Sequence, residues 1–169
     1  MKEYSLFADI LDYPTPLTVE RIDELFPLVA AIDGEAGEQL GRFREFAANS
    51  ASAELEELYT RTFDLQPLCY PYLGYQLFGE EFRRGMFMAG LREHYRASGF
   101  QAGAELPDQL CVILRFLAGR EQEAVERELV SDCLVPSLKK MVAGFTDAAN
   151  PYLAPLQALL RFLVGKETE

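Results

Sequence analysis

One histidine, His94, and three cysteines, Cys69, Cys111 and Cys133, are all that this 169-residue chain holds of those two residue types. A hydrolytic triad or a histidine-based metal site needs further partners at compatible positions, and a dinuclear carboxylate bundle needs Glu-x-x-His on two helices. One histidine rules out the bundle, and the lack of any Cys-x-x-Cys argues against zinc. None of the cysteines has a base beside it in sequence to raise a thiolate. Phosphate cradles are missing too: there is no Gly-x-x-x-x-Gly-Lys-Ser/Thr and no Gly-x-Gly-x-x-Gly. These absences count against an enzyme and against a bound cofactor. His94 itself, between Glu93 and Tyr95, reads as a partly exposed helix residue.

Other patterns are lacking as well. No window alternates in strand fashion, and no Asn-Gly or Asp-Gly turn joins β-branched runs. No apolar run is long enough to span a bilayer. The opening MKEYSLFADILDYPTP carries acids and prolines where a signal peptide needs an unbroken apolar stretch. An odd number of cysteines at unrelated spacings fits buried thiols in a reducing compartment, so the expectation is a cytoplasmic protein. Cations are scarce: 16 Lys and Arg stand against 27 Asp and Glu, a net charge of −11. That disfavours nucleic acid and anionic membrane surfaces, and leaves room for a cationic peptide partner. It also serves solubility.

What is present is helical periodicity. With 49% apolar and 25% charged residues, the chain has the composition of one all-α globular domain over 1–169, with about seven or eight helices. A first helix is predicted over Tyr4 to Leu11, stopped by the prolines of DYPTP. Ile22, Leu25, Phe26 and Val29 mark a second, with Thr18 as N-cap and a kink or division at Pro27. Gly34 and Gly37 mark a break before a stripe of Leu40, Phe43 and Phe46. Leu55, Leu58, Tyr59, Thr62 and Phe63 share one face of the next helix.

From Tyr75 to Arg96 two stripes are apolar: Phe78, Phe82, Met86 and Ala89, and Phe87, Leu91 and Tyr95. That pattern predicts a central helix buried on more than one side. Pro107 suits the first turn of a helix carrying Leu106, Leu110, Ile113, Leu114 and Leu117, ending at Gly119. The charged run Glu121 to Glu128 reads as solvated surface, divided at Pro136 from the stripe Leu138, Met141, Val142 and Phe145. Asn150 before Pro151 starts the last helix, and its KETE end is expected to fray.

Two stretches do not fit a plain helical bundle. The first is YTRTFDLQPLCYPYLGYQLFG, residues 59–79, with six aromatics interrupted by two prolines and two glycines. Its rings either plug the core or wall a groove for an apolar or amphipathic peptide, a task that suits tyrosine. The second is AELPDQL, residues 104–110, with Glu105 and Asp108 at a helix N-terminus. Such acids complement the helix dipole, or one faces outward to pair with an arginine of a partner.

Together, "LEELYTRTFDLQPLCYPYLGYQLFGEEFRRGMFMAGLREHY" and "ELPDQLCVILRFLA" resemble the assembly chaperones of respiratory nitrate reductase, the NarJ branch of the TorD/DmsD group of redox-enzyme maturation proteins. The resemblance is strongest from Leu55 to Leu117. It implies a TorD-like all-helical chaperone that binds the N-terminal leader of a molybdoenzyme's apo catalytic subunit and holds it for molybdopterin insertion. The family's Tyr-x-x-Leu-Phe is met by Tyr59 and Phe63, with Thr62 for leucine and Asp64 following. Its Glu-Pro-x-Asp-His is met by Glu105 and Asp108, with Pro107 displaced by one and Gln109 where histidine would stand. The resemblance therefore implies a leader groove walled by Tyr59, Phe63 and the crossover tyrosines Tyr70, Tyr72 and Tyr75. Asp64, Glu105, Pro107, Asp108 and Gln109 would stand at its edge. A small helical subunit held permanently in a redox enzyme complex is the alternative.

Overall fold

The nonapeptide LCVILRFLA is apolar but for Arg115, so nearly every face of it must be buried and it belongs at the centre of whatever it folds into. In the computed structural model, which describes residues 1–120 and 124–167, it is helix α7, Leu110–Ala118, and seven of its nine residues are buried. Before it come α1 (Lys2–Leu11), α2 (Thr18–Ala30), α3 (Gly34–Asn49), α4 (Ser52–Tyr59), α5 (Leu73–Phe78) and α6 (Phe82–Ala97). After it come α8 (Ala124–Glu128), α9 (Val135–Ala143) and α10 (Leu153–Glu167). The fold is all-α, as expected, with no strand among the described residues. α1 lies on α7, α2 and α10; α3 packs on α2 and α10.

Two π-helical turns fuse neighbours into longer runs. Thr60–Asp64 continues α4, and Leu129–Leu134 joins α8 to α9. Pro136 therefore does not divide this region. It sits in the first turn of α9, just past the wider π turn, where a proline's missing N–H is tolerated. Pro27 likewise stays inside α2, which runs on to Ala30. Gly37 is not a break but a contact: a Cβ there would lie 2.7 Å from the Ala30 Cβ, so glycine lets α3 close onto α2.

The expected central helix from Tyr75 to Arg96 is corrected in two ways. It is broken at Gly79, whose φ of +63° is a left-handed conformation that favours glycine. Its larger part, α6, lies at the surface and buries only Leu91 and Tyr95. Phe82 is 83% exposed and Met86 62%, so this stripe faces outward. The helix placed at Pro107 begins instead at Leu110, and Leu106 is exposed rather than part of its buried stripe. Within the acidic run, Glu126 is buried and paired with Arg120 at 3.3 Å. Residues 121–123 of that run, and Thr168 and Glu169 of the expected frayed end, lie outside the described residues.

Candidate functional site

The crossover and the AELPDQL stretch meet. A single 3₁₀ turn, Pro67–Cys69, reverses the chain and buries Cys69. Beyond it the backbone runs extended and pairs antiparallel with the segment before α7, at Tyr72 and Gln109. Leu73 N donates to Asp108 O at 2.8 Å, and Leu110 N donates to Pro71 O at 2.7 Å. These two bonds satisfy backbone groups that helices would otherwise leave orphaned. Tyr95 of α6 ties in from the other side, its hydroxyl donating to Pro107 O at 2.7 Å.

Gln109 is the N-cap of α7. Its Oε1 accepts from Cys111 N at 2.6 Å and Val112 N at 3.0 Å, satisfying two of the helix's free N–H groups. The residue that departs from the family's histidine is thus turned into the fold.

Asp108 is fully buried, and its partner is an arginine of this same chain. Arg84 Nε lies 3.0 Å from Oδ2 and Nη2 3.5 Å from Oδ1. Of the two acids, Glu105 is exposed, and Asp108 is the one turned inward. A buried carboxylate must be paired where it stands, and Arg84 reaches it from α6. The same guanidinium stacks over the rings of Tyr72 at 5.5 Å and Tyr75 at 5.9 Å. Gly74 makes room for the pair, since a Cβ there would lie 2.7 Å from Asp108 Oδ2 and 2.9 Å from Arg84 Cγ.

The other sequence candidates divide into two sets. Tyr59 and Phe63, 6% and 2% exposed, sit in the core, with ring centroids 5.1 Å apart. Both rings pack edge-on against Tyr152, at 5.7 Å and 5.2 Å. Burial pushes the Tyr59 hydroxyl well above the usual phenol range. In this conformation neither ring presents a wall to a partner. Pro107 and Gln109 are buried as well.

The second set reaches solvent. Tyr70, Tyr72 and Tyr75 are half-buried, with Tyr70 and Tyr75 rings 5.3 Å apart, while Asp64 and Glu105 are exposed. Burial is the main cause that raises the Tyr72 hydroxyl, followed by the negative charges of Glu105, Asp64 and Asp108, with Arg84 opposing. The two segments joined at Tyr72 and Gln109 thus expose, besides the tyrosine edges, Asp64 and Glu105 and the apolar Leu65, Leu68 and Leu106. Gln76 braces the turn beneath them, its Nε2 donating to Tyr70 O at 2.9 Å and Leu68 O at 3.2 Å.

Sequence reasoning missed Arg84. It lies 24 residues from Asp108, and no local spacing signals that pairing. Such a surface can hold an apolar peptide edge by contact and basic side chains by charge. The described residues include no group of three or more His, Cys, Asp or Glu placed to hold a metal ion. None of their helices is long and apolar enough to cross a membrane.

Comparison with known proteins shows the family. The model of the family described as "Nitrate reductase delta subunit" matches residues 30–158. The "Nitrate reductase-like protein NarX" of Mycobacterium tuberculosis (strain ATCC 25618 / H37Rv) is 32% identical over 153 residues, covering 90% of this chain. The chain spans only 23% of that relative's length. The "Probable nitrate reductase molybdenum cofactor assembly chaperone NarJ" of Bacillus subtilis (strain 168) is 32% identical over 162 residues. That match covers 95% of this chain and 87% of the relative.

Proposed function

The chain belongs to the nitrate reductase delta subunit family, and on that premise we propose that it is an assembly chaperone, without catalysis of its own, for a molybdenum-containing nitrate reductase. It acts in the cytoplasm. It binds the N-terminal leader of the apo catalytic subunit and keeps that subunit available for molybdopterin insertion. The observation that carries the reading is the meeting of the two unusual stretches at the Tyr72–Gln109 bridge. The reading assigns the leader to the solvent-reaching Tyr70, Tyr72, Tyr75, Asp64 and Glu105 of these two stretches.

Leader peptides combine basic residues with an apolar segment. Tyrosine edges give such a segment contact area at little entropic cost, and free carboxylates steer its cations. Arg84 and Asp108 act behind the surface: they fix Tyr72 and Tyr75 and hold the two segments together. Tyr59 and Phe63 support the same region from the core, through the π turn that leads into the crossover.

The test is calorimetric titration with the N-terminal peptide of the candidate catalytic subunit, at low and high salt. The reading expects saturable one-to-one binding that weakens with salt, and a Tyr72→Ala variant about tenfold weaker, equivalent to about 1.4 kcal/mol. Absence of binding would overturn it.

A permanent helical subunit is the second reading. The family's own description as a subunit favours it, as does the relative in which the matched region is a small part of a longer protein. It expects the chain to remain in the mature enzyme.

A further inference from the structure

Helix α6 carries an apolar stripe that no described residue covers. Phe82, Met86, Ala89 and Glu93 recur at helical spacing, so they share one face, and all four are exposed. Phe82 and Met86, at 83% and 62% exposure, keep apolar area in water, which a fold gains nothing by doing. Gly85 and Gly90 flank the stripe, and a Cβ added at either would meet nothing within 4 Å. Another chain can come close there. Arg84 leaves the opposite side of α6 for Asp108, so the stripe is distinct from the tyrosine surface.

The charges beside the stripe say what that chain is. At about 100° per residue, Glu81, Arg92 and Arg96 fall along one flank, with the acid at the N-terminal end and the bases at the C-terminal end. Arg83 and Glu93 fall along the other flank in the reverse order. All five are exposed. Their pairings within the chain are loose: Glu81 meets Arg83 at 2.9 Å with both side chains more than half exposed, and Glu93 stands 3.9 Å from Arg96. Arg92 has no ion pair among the described residues. A partner carrying one sign of charge would meet its own sign on both flanks. A second α6 lying antiparallel meets the opposite sign on both.

We propose that this stripe seats a second copy of the chain, the two α6 helices packed antiparallel about a two-fold axis. Met86 then lies against Ala89 of the second copy, and Gly85 against its Gly90. In that register Glu81 comes within about 3 Å along the axis of the second copy's Arg92, and Arg83 comes level with its Glu93. Symmetry makes each contact twice. A 16-residue helix is about 24 Å long and about 10 Å across. One face of it offers far less than the roughly 800 Å² per partner of a standard interface, so the pair is weak and reversible, with a Kd on the order of 100 μM. The proposal does not depend on the leader-binding reading.

The test is sedimentation equilibrium of the full chain from about 10 μM to about 1 mM, a range that brackets such a Kd. The expected result is a monomer that becomes a dimer across the range, less so as salt is raised. Met86→Glu puts a carboxylate into the apolar contact and should weaken association at least about tenfold. Ala89→Glu does the same from the neighbouring turn, and serves if the melting temperature shows that Met86→Glu is not folded. A charge exchange tests the register. Glu81→Arg/Glu93→Arg makes both flanks basic, and Arg83→Glu/Arg92→Glu/Arg96→Glu makes both acidic. Each alone should stay monomeric, and an equimolar mixture should associate. A wild type that stays monomeric throughout overturns the proposal and leaves the stripe to a different occupant. A dimer that the folded glutamate variants leave unchanged overturns it as well, and so does a mixture that fails to associate.

Discussion

Arg84 holds the fully buried carboxylate of Asp108 at 3.0 Å while its own side chain keeps 19% of its surface in solvent. The two partners are therefore unequal. Removing Arg84 leaves a charge with no water and no cation. Removing Asp108 leaves a cation that can still reach solvent. Arg84→Ala should cost about 3–5 kcal/mol of unfolding free energy, and Asp108→Ala clearly less. Urea denaturation of both variants checks the asymmetry; equal losses would contradict it.

The glycines of this region give a paired prediction. Gly74→Ala drives a Cβ to 2.7 Å from Asp108 Oδ2, an atom of a fully buried side chain already paired with Arg84. It should destabilise by about 1–3 kcal/mol. Gly90→Ala meets nothing within 4 Å and should stabilise by about 0.5–1 kcal/mol. Thermal melts of the two variants should move in opposite directions.

How far the sequence could foretell these features depends on the range of the interaction. Helices were legible from the 3.6-residue repeat, and the breaks at Asp12–Pro16 and Gly119 from their proline and glycine. Burial was not. The stripe of Phe82 and Met86 reads like a core stripe, because periodicity records a face and not what covers it. α7 reveals itself as central only by being apolar at every position but Arg115. The two unusual stretches were legible as unusual, but their meeting was not, since Tyr72 and Gln109 pair across 36 intervening residues. Tyr59 and Phe63 share one helix face, as their spacing says, and that face turns to Tyr152 in the core.

Tyr152 carries a second consequence of burial. Its hydroxyl is enclosed and has no hydrogen-bond partner among the described residues. An unpaired buried hydroxyl costs about 1–3 kcal/mol. Tyr152→Phe should therefore raise the melting temperature while leaving peptide binding as it was. A loss of stability would show that the hydroxyl has a partner.

Asp33 provides a pH-dependent contribution. It caps α3, its Oδ1 accepting from Ala36 N at 2.9 Å, and it pairs with Arg161 at 3.0 Å. The Ala36 N–H above all, then Arg161, hold its carboxyl below the usual range, against a smaller opposing effect of burial than of the cap. A carboxyl lowered on folding stabilises above its unfolded value, about 3.9, and that stability is lost as pH falls through the lower folded value. Asp33→Ala should cost about 0.5–2 kcal/mol at pH 7. The gap from wild type should narrow in urea titrations taken well below pH 4.

The central claim is that the chain attends assembly and then leaves. Its most direct test is to purify the candidate catalytic subunit before and after cofactor insertion, and to quantify this chain in each by mass spectrometry. The account predicts near-stoichiometric chain with the cofactor-free subunit and none with the mature enzyme. Equal amounts in both would contradict it and make the chain a permanent subunit.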